Sequence, residues 1–192
     1  MHMEYEEKFQ ADPFVLEEID RQVAGVRTVY TMQTTYYDTP TKALSARGYT
    51  LRRRLENDTA VCTLKIPGPE GGRAEYQVEA QTIEDAIPMV CKLCPALPLA
   101  LLFAEGVTPL CGAAFTRIAK EVTLDSCVVE VALDLGVLTG GGHQTPLCEV
   151  EVELVSGSRE AAVRYAQQLA QTYGLTIQPR SKFSRAKALA ET

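Results

Sequence analysis

The chain has 192 residues, of which 46% are hydrophobic and 23% are charged. These values are ordinary for a soluble globular protein and are sufficient for one sizeable core. The net charge of −6 argues against a general nucleic-acid binder and against a binder of anionic membranes, although an acidic average can hide a basic pocket.

The apolar segments and the cysteines exclude further classes. The most apolar run, residues 96–104, contains Pro98 and is too short to span a bilayer. The N-terminal residues 1–6 are polar, unlike a signal peptide. Six cysteines in a chain without an export signal predict a reduced, cytoplasmic protein. Cys91 and Cys94 form a lone CxxC motif, which is more typical of two helix-face thiols than of a metal site.

Alternation of polar and apolar residues predicts a strand-rich chain. The first strand carries Glu4, Glu6 and Lys8 on one face. Further strands are predicted at 28–37, 49–55, 60–67, 73–80, 115–124, 127–135 and 146–155. The three glycines at 140–142 are predicted to form a flexible hairpin loop between the last two strands. They lack the strand-to-helix context that a phosphate-binding loop requires.

Helical periodicity marks three regions. Asp12 and Pro13 are a typical helix start, and this helix is expected to end near Gly25. Residues 82–106 are a helical insertion whose prolines break it into two or three short helices. C-terminal helices are predicted over about 158–190. Residues 1–192 therefore form a single domain.

Residues 147–154 carry the clearest functional pattern. Glu149, Glu151 and Glu153 lie on one face of a strand, and Val150 and Val152 lie on the other. Glutamate is a poor strand former, and carboxylates about 7 Å apart along one face repel each other. A divalent cation, or basic residues from elsewhere in the chain, would relieve this repulsion.

Charged residues occupy one face of nearly every predicted strand. On a single strand such a face is usually solvated sheet surface. Because the pattern recurs from strand to strand, we predict an α+β fold: an eight-stranded antiparallel barrel with a charged, hydrated interior and with helices around its apolar exterior. The residues expected inside are the acids Glu4, Glu6, Glu75, Glu130, Asp134, Glu149, Glu151 and Glu153 and the bases Lys8, Arg52, Arg54, Lys65, Arg73 and Arg117.

This mixture of charges suits a polyanion with its metal. Carboxylates are the ligands that Mg²⁺ or Mn²⁺ prefers, and arginine and lysine bind phosphate oxygens. Neither a nucleic-acid groove nor a site for an apolar ligand needs both sets. The predicted partner is therefore a small phosphate-containing molecule rather than a nucleic acid or a membrane.

A family resemblance appears at these residues. Glu4-x-Glu6-x-Lys8 matches the ExExK signature of the CYTH superfamily, the triphosphate tunnel metalloenzymes, and the chain most resembles the bacterial inorganic triphosphatases. Further blocks that match in order are 37–40, 51–54, 63–65, 73–75, 131–136, 148–154 and 181–183. ExExK alone is a weak pattern, but ordered blocks from residue 4 to residue 183 cover essentially the whole chain.

The resemblance implies roles for individual residues. The implied metal ligands for Mg²⁺ or Mn²⁺ are Glu4, Glu6, Asp134, Glu149 and Glu151. The implied substrate-binding residues are Lys8, Arg52, Arg54, Lys65, Glu75, Arg117 and Lys182, with Lys120 as a rival to Arg117. Glu4, Glu6, Lys8, Arg52 and Arg54 are the implied catalytic residues. The roles of Glu130 and Glu153 stay open.

The implied activity is metal-dependent hydrolysis of a triphosphate, most of all tripolyphosphate, to pyrophosphate and phosphate. The sequence contains no evident Ser-His or Cys-His arrangement, so we expect direct attack by water. A class IV adenylate cyclase and a thiamine triphosphatase are alternatives on the same fold. A polyphosphate- or nucleotide-binding module without turnover is a third alternative. Dimers are common in the family, so a homodimer is one of the states that the resemblance allows.

Overall fold

The structure, a computed structural model, describes residues 2–68, 72–94 and 98–192, with residues 2–4 described by their backbone alone. Its strands are β1 (His2–Glu4), β2 (Glu6–Gln10), β3 (Val26–Asp38), β4 (Thr50–Glu56), β5 (Thr59–Pro67), β6 (Arg73–Glu79), β7 (Thr108–Thr123), β8 (Cys127–Gly140), β9 (His143–Gly157) and β10 (Thr176–Ile177). Its helices are α1 (Pro13–Gln22), α2 (Ile83–Leu93), α3 (Leu99–Leu102), α4 (Arg159–Tyr173) and α5 (Lys182–Ala190).

The strands of the described residues form one antiparallel sheet in the order β1-β6-β5-β4-β3-β7-β8-β9-β2-β10. Its two ends are joined by the chain itself, because only Tyr5 separates β1 from β2. β1 pairs with β6 through Glu4 and Arg73, whereas β2 pairs with β9 through Glu6 and Glu153. When β1 and β2 are counted as one interrupted strand and the two-residue β10 is set aside, eight strands remain. The predicted α+β tunnel fold is confirmed.

Apolar residues on the outer face of the sheet form two clusters beneath helices. In the first cluster, Val131 and Val150 pack with Ile19 of α1 and Ala166 of α4. In the second cluster, the outward side chains of β4 and β5 pack with α2 and α3. The strands β2, β4, β5, β8 and β9 therefore bury aliphatic side chains against helices and turn their other face into the barrel, whereas outer residues of β3 such as Val29 stay exposed. Four of the five helices lie outside the sheet, as predicted.

Helix α5 differs from the prediction because it lies inside the barrel. Its Ala186 and Phe183 pack with Phe115, Leu138 and Leu147. The last three share the strand face of the inward-pointing charged residues Arg117, Asp134 and Glu149, since they differ from them by even numbers of positions. One end of the barrel interior is therefore apolar and filled by a helix, and only the remainder is charged.

Glycine at the β8–β9 turn permits this close packing. A Cβ atom at Gly140 would lie 2.4 Å from the carbonyl oxygen of Ala186 and 2.8 Å from the backbone nitrogen of Ala190. The three glycines at the tip, expected to form only a flexible hairpin loop, thus include one residue that allows α5 to touch the strand backbone.

One helical detail corrects the sequence analysis. Pro88 was expected to break the helical insertion, yet α2 continues through it. A proline at this position removes the hydrogen bond to the carbonyl of Glu84 and crowds that carbonyl, and burial of Ile83, Ala86 and Val90 offsets this cost. Pro95 lies outside the described residues. Among the described helices, none is long and apolar enough to cross a membrane.

We predict that Gly140→Ala releases α5. The added methyl group would overlap the helix backbone, so the free energy of unfolding should fall by about 1–3 kcal/mol, the usual cost of overpacking. Urea unfolding measures the loss, and limited proteolysis should show faster cleavage within α5. Gly142→Ala is the control, because a Cβ there meets nothing within 4 Å and only its φ of 83° is unfavourable. Equal protection of α5 in both variants would contradict the packing role of Gly140.

Candidate functional site

The charged part of the barrel interior is a cavity of about 540 Å³, a size typical of small-molecule sites. Among the described residues, eight basic and five acidic side chains line it. The basic ones are Lys8, Arg52, Arg54, Lys65, Arg73, Arg117, Arg180 and Lys182, and the acidic ones are Glu6, Glu75, Glu130, Glu151 and Glu153. The cavity therefore has an excess of positive charge in a protein whose net charge is −6.

Beside the cavity lies a buried acidic triad, which we define as Asp134, Glu149 and Glu151. Asp134 is paired with Glu149 across β8 and β9, and the exposed fractions of the three residues are 0%, 0% and 9%. One carboxylate oxygen from each lies within 4.8 Å of the others, so the triad could hold a metal ion. Carboxylates of this kind fit the oxygen preference of Mg²⁺ and Mn²⁺.

Protein cations already neutralise this triad. The Lys182 ammonium donates to Glu149, lies 2.7 Å from Glu151 Oε1 and lies 2.8 Å from Asp134 Oδ2. The Arg117 guanidinium donates to Asp134 over 2.6 Å and to Glu151 over 2.5 Å. Arg185 donates to the second oxygen of Glu149. The negative charges of the three carboxylates are thus balanced by the positive charges of three basic side chains.

The pKa values follow from these contacts. Burial alone would raise the pKa of Glu151, but the Lys182 ammonium and the Arg117 guanidinium hold it well below its usual range. Burial would likewise lower the pKa of Lys182, but the three carboxylates hold it above its ordinary value. Both groups are therefore charged at neutral pH.

A second acidic group faces the cavity itself. Glu6, Glu153 and Glu130 occupy directly opposite positions on β2, β9 and β8 and all line the cavity. Like charges directly across strands destabilise a sheet. Lys8 lies 2.6 Å from Glu6, and Arg117 lies 3.9 Å from Glu130. Burial, and then repulsion from Glu151 and Asp134, raises the pKa of Glu130 despite Arg117.

The wall formed by β4, β5 and β6 is basic. Lys65 and Glu75 form an ion pair of 2.5 Å, and Arg54 donates to Glu56. Burial and the positive charge of Arg52 lower the pKa of Arg54 to about 10. The Nε atom of Arg52 is buried without a hydrogen-bond partner in the structure. A buried, unpaired donor beside like charges favours an anion at this position.

Most of the predicted site residues meet around this cavity. Its lining includes Glu6, Lys8, Arg52, Arg54, Lys65, Glu75, Arg117, Glu151 and Lys182. Asp134 and Glu149 are buried in contact with Lys182. The backbone of Glu4 pairs with Arg73, and its side chain lies outside the described part of the chain.

Arg117 and Lys120 lie on opposite faces of β7. The Lys120 ammonium donates to the carbonyls of Asp20 and Val23 at the C-terminal end of α1 and lies 3.1 Å from the Asp20 carboxylate. It therefore stabilises the end of an outer helix, whereas Arg117 points into the cavity.

The sequence analysis gave no site role to Arg180 or Arg185. Arg185 pairs with Glu149 in the triad, and Arg180 lines the cavity mouth just before α5. A signal for Arg185 was present, because it lies three residues after Lys182 and so on the same helix face. Arg180 precedes the helix, and no periodicity marks it.

We predict a pH-dependent effect of Glu151→Gln. Because the pKa of Glu151 is lower in the folded chain than its ordinary value of 4.5, the ionised group stabilises the fold above that pH and loses its effect as pH falls through the lower folded pKa. At pH 7 the substitution should reduce the free energy of unfolding by about 3–5 kcal/mol, the usual cost of breaking a buried ion pair.

Urea unfolding in EDTA at a series of pH values tests this, with the exposed Glu17→Gln as the control. The difference between wild type and Glu151→Gln should shrink below pH 4.5. A loss of the same size at every pH would show that Glu151 is not held ionised by its partners.

Comparison with known proteins identifies the family. The CYTH domain family model matches residues 2–186. An inorganic triphosphatase of Haemophilus influenzae is 30% identical over 126 residues, which are 65% of this chain and 36% of that protein. The chain thus aligns with only about a third of the length of this relative.

Two solved structures share the fold. HpAC1 of Hippeastrum, a candidate adenylyl cyclase with a dominant triphosphatase activity, has a TM-score of 0.64 at 16% identity, with 98% of this chain and 96% of that chain covered. The PH1819 protein of Pyrococcus horikoshii has a TM-score of 0.62 at 18% identity, with 95% and 97% covered. These identities support the fold alone, but the family model covers nearly all of the sequence, and the chain belongs to the CYTH domain family.

Proposed function

We propose that this protein is a divalent-metal-dependent hydrolase of inorganic triphosphate. One observation carries the proposal: one cavity brings a row of carboxylates on β2, β8 and β9 opposite a wall of arginine and lysine side chains on β4 and β5. A metal–polyphosphate complex has both charges and therefore matches both walls.

The basic wall binds the phosphate chain. Arg52 offers a buried Nε–H that has no partner, so an anion gains a hydrogen bond there without breaking an existing ion pair. Arg54 and Lys65 are already paired with Glu56 and Glu75, respectively, and their positive charge is only partly available. Arg52 is therefore the principal phosphate ligand. Lys8, Arg117 and Lys182 are ion-paired as well, so these three would bind phosphate by exchanging a carboxylate partner for a phosphate oxygen.

The metal ligands come from the acidic row, which we define as Glu6, Glu153 and Glu130 on β2, β9 and β8. Glu6 and Glu4 were expected to bind the metal, and Glu153 joins them because it lies directly opposite Glu6 on the inner face. When bound there, Mg²⁺ or Mn²⁺ would neutralise phosphate charge and lower the pKa of a water molecule. The Asp134–Glu149–Glu151 triad is a second group of carboxylates that could hold a metal ion. In the structure, the Lys182 ammonium already contacts these carboxylates.

Water is the expected nucleophile. Phosphoryl transfer depends mainly on positioning and on charge stabilisation, both of which this cavity provides without a covalent intermediate. Glu130, whose pKa is raised by burial and by Glu151, is placed to accept a proton from a water molecule in the cavity. Hydrolysis of tripolyphosphate would then release pyrophosphate and phosphate.

Aromatic side chains give little support to a nucleotide substrate. Tyr36, Phe115 and Phe183 line the cavity. The rings of Tyr36 and Phe183 pack on each other with centroids 5.2 Å apart, and Lys182 lies 5.4 Å from the centre of Phe115. Tyr36 and Phe115 are buried and Phe183 packs on Tyr36, so this packing leaves little ring surface for a base to stack on. This favours inorganic triphosphate over the adenylate cyclase reaction.

The relatives support the same choice. The Haemophilus influenzae protein is an inorganic triphosphatase, and HpAC1 has a dominant triphosphatase activity. A binding module without turnover would have little use for the acidic row. The proposed role of this chain is therefore hydrolysis rather than storage or sensing of polyphosphate.

A substrate panel tests the proposal. Tripolyphosphate, ATP and thiamine triphosphate are each incubated with the protein and Mg²⁺ or Mn²⁺, and the products are identified by ³¹P NMR. We expect tripolyphosphate to be the best substrate and EDTA to abolish the reaction. Release of cyclic AMP and pyrophosphate from ATP would support the cyclase instead, and binding without products would support the module.

Two neighbouring arginines provide a matched pair for the same assay. Arg52→Ala should lower kcat/KM for tripolyphosphate by about 10²–10³-fold, the usual effect of removing a donor to developing charge. Arg53 lies on the outer face and donates to the carbonyl of Gln81, so Arg53→Ala should retain activity. Equal loss in both variants would show that Arg52 acts through stability and not through the substrate.

A further inference from the structure

We propose that the Lys182 ammonium is a built-in counter-ion that keeps divalent cations out of the Asp134–Glu149–Glu151 triad until substrate draws it away. The inference deepens the proposed function, on which it rests for the choice of Mg²⁺ or Mn²⁺. It assigns to Lys182 a contact with the triad in addition to the phosphate contact expected from the sequence.

The geometry places the ammonium where a metal would sit. Lys182 Nζ contacts one carboxylate oxygen from each member of the triad, at 2.8 Å from Asp134 and 2.7 Å from Glu151. The ammonium donates hydrogen bonds to Glu149 and Glu151 and forms an ion pair with Asp134. The same three carboxylates form the group whose oxygens lie within 4.8 Å of one another. Lysine and a metal ion would therefore use the same atoms.

Charge balance prevents the Lys182 ammonium and a divalent metal ion from occupying the triad at the same time. Lys182, Arg117 and Arg185 match the three carboxylates one for one. A divalent cation added to this buried group would leave an uncompensated double charge, and uncompensated buried charge is strongly unfavourable. The cation can enter only when the ammonium leaves.

Helix α5 keeps the ammonium in place. Ser181 caps the helix by accepting a hydrogen bond from the amide of Ser184, and Ala186 is buried against the inner face of the barrel. The ring of Phe183 packs on Tyr36. The backbone of residue 182 is thus fixed, and only its flexible side chain has to move.

A phosphate chain in the cavity offers the ammonium another anionic partner. Lys182 lines the cavity as well as contacting the triad, so its side chain borders both positions. If the Lys182 ammonium moved from the carboxylates to phosphate oxygens, the triad would be left with a net negative charge and could accept a divalent cation. Triphosphate and the divalent cation in the triad would then each strengthen the binding of the other, because such coupling is reciprocal.

Counting bound Mn²⁺ in the ligand-free protein tests the inference without turnover. Electron paramagnetic resonance and isothermal titration calorimetry are applied to wild type, Lys182→Met and the double variant Lys182→Met/Asp134→Asn. We expect Lys182→Met to bind one Mn²⁺ more than wild type and the double variant to lose that additional ion. Lys187→Met, on the same helix and paired with Glu191 instead, should match wild type.

Equal numbers and affinities in wild type and Lys182→Met would overturn the proposal. A Mn²⁺ site in the ligand-free wild type that Asp134→Asn removes would also overturn it. Circular dichroism checks folding, and Lys182→Gln is the second variant, since its amide still donates hydrogen bonds but carries no charge. Hydrolysis of tripolyphosphate by the wild type is independent of these counts, so failure of this proposal and failure of the proposed function can be told apart.

Discussion

Neutralisation of inward-facing charge is the constraint on which the rest of this structure depends. Carboxylates on β8 and β9 are buried beside one another. Their mutual repulsion would destabilise the fold without the Arg117 guanidinium and the Lys182 ammonium. Because outer helices bury the apolar faces of β4, β5, β8 and β9, the charged faces of these strands point into the interior. The barrel tolerates a charged interior because these carboxylates are paired with basic side chains of β7 and α5.

Helix α5 connects stability to function. Its apolar residues replace part of a conventional core inside the barrel, and its basic residues complete the charge balance of the triad. The close approach at Gly140 lets the same helix reach both regions. One short element therefore closes the tunnel at one end and, in our proposal, controls the access of a metal to the triad.

Sequence patterns predicted the strands and the direction of their charged faces, because an alternation of period two persists regardless of tertiary packing. They left Arg117 and Lys120 as rivals, since only the pairing of β7 with its neighbours decides which face points inward. They also placed α5 outside, because the periodicity of so short a helix does not reveal what covers it. The pairing of Lys182 and Arg185 with the triad depends on that packing and was not predictable locally.

We propose that the carboxylates Glu6, Glu130 and Glu153 and the basic side chains of β4 and β5 act on one ligand within one cavity. A crystal structure with Mn²⁺ and the non-hydrolysable analogue imidotriphosphate tests this most directly, because the anomalous signal locates the metal independently of the protein atoms. We predict a Mn²⁺ peak coordinated by Glu6 and by phosphate oxygens that also contact Arg52. Density for the analogue on the outer surface, or a metal bound apart from the phosphates, would contradict the account.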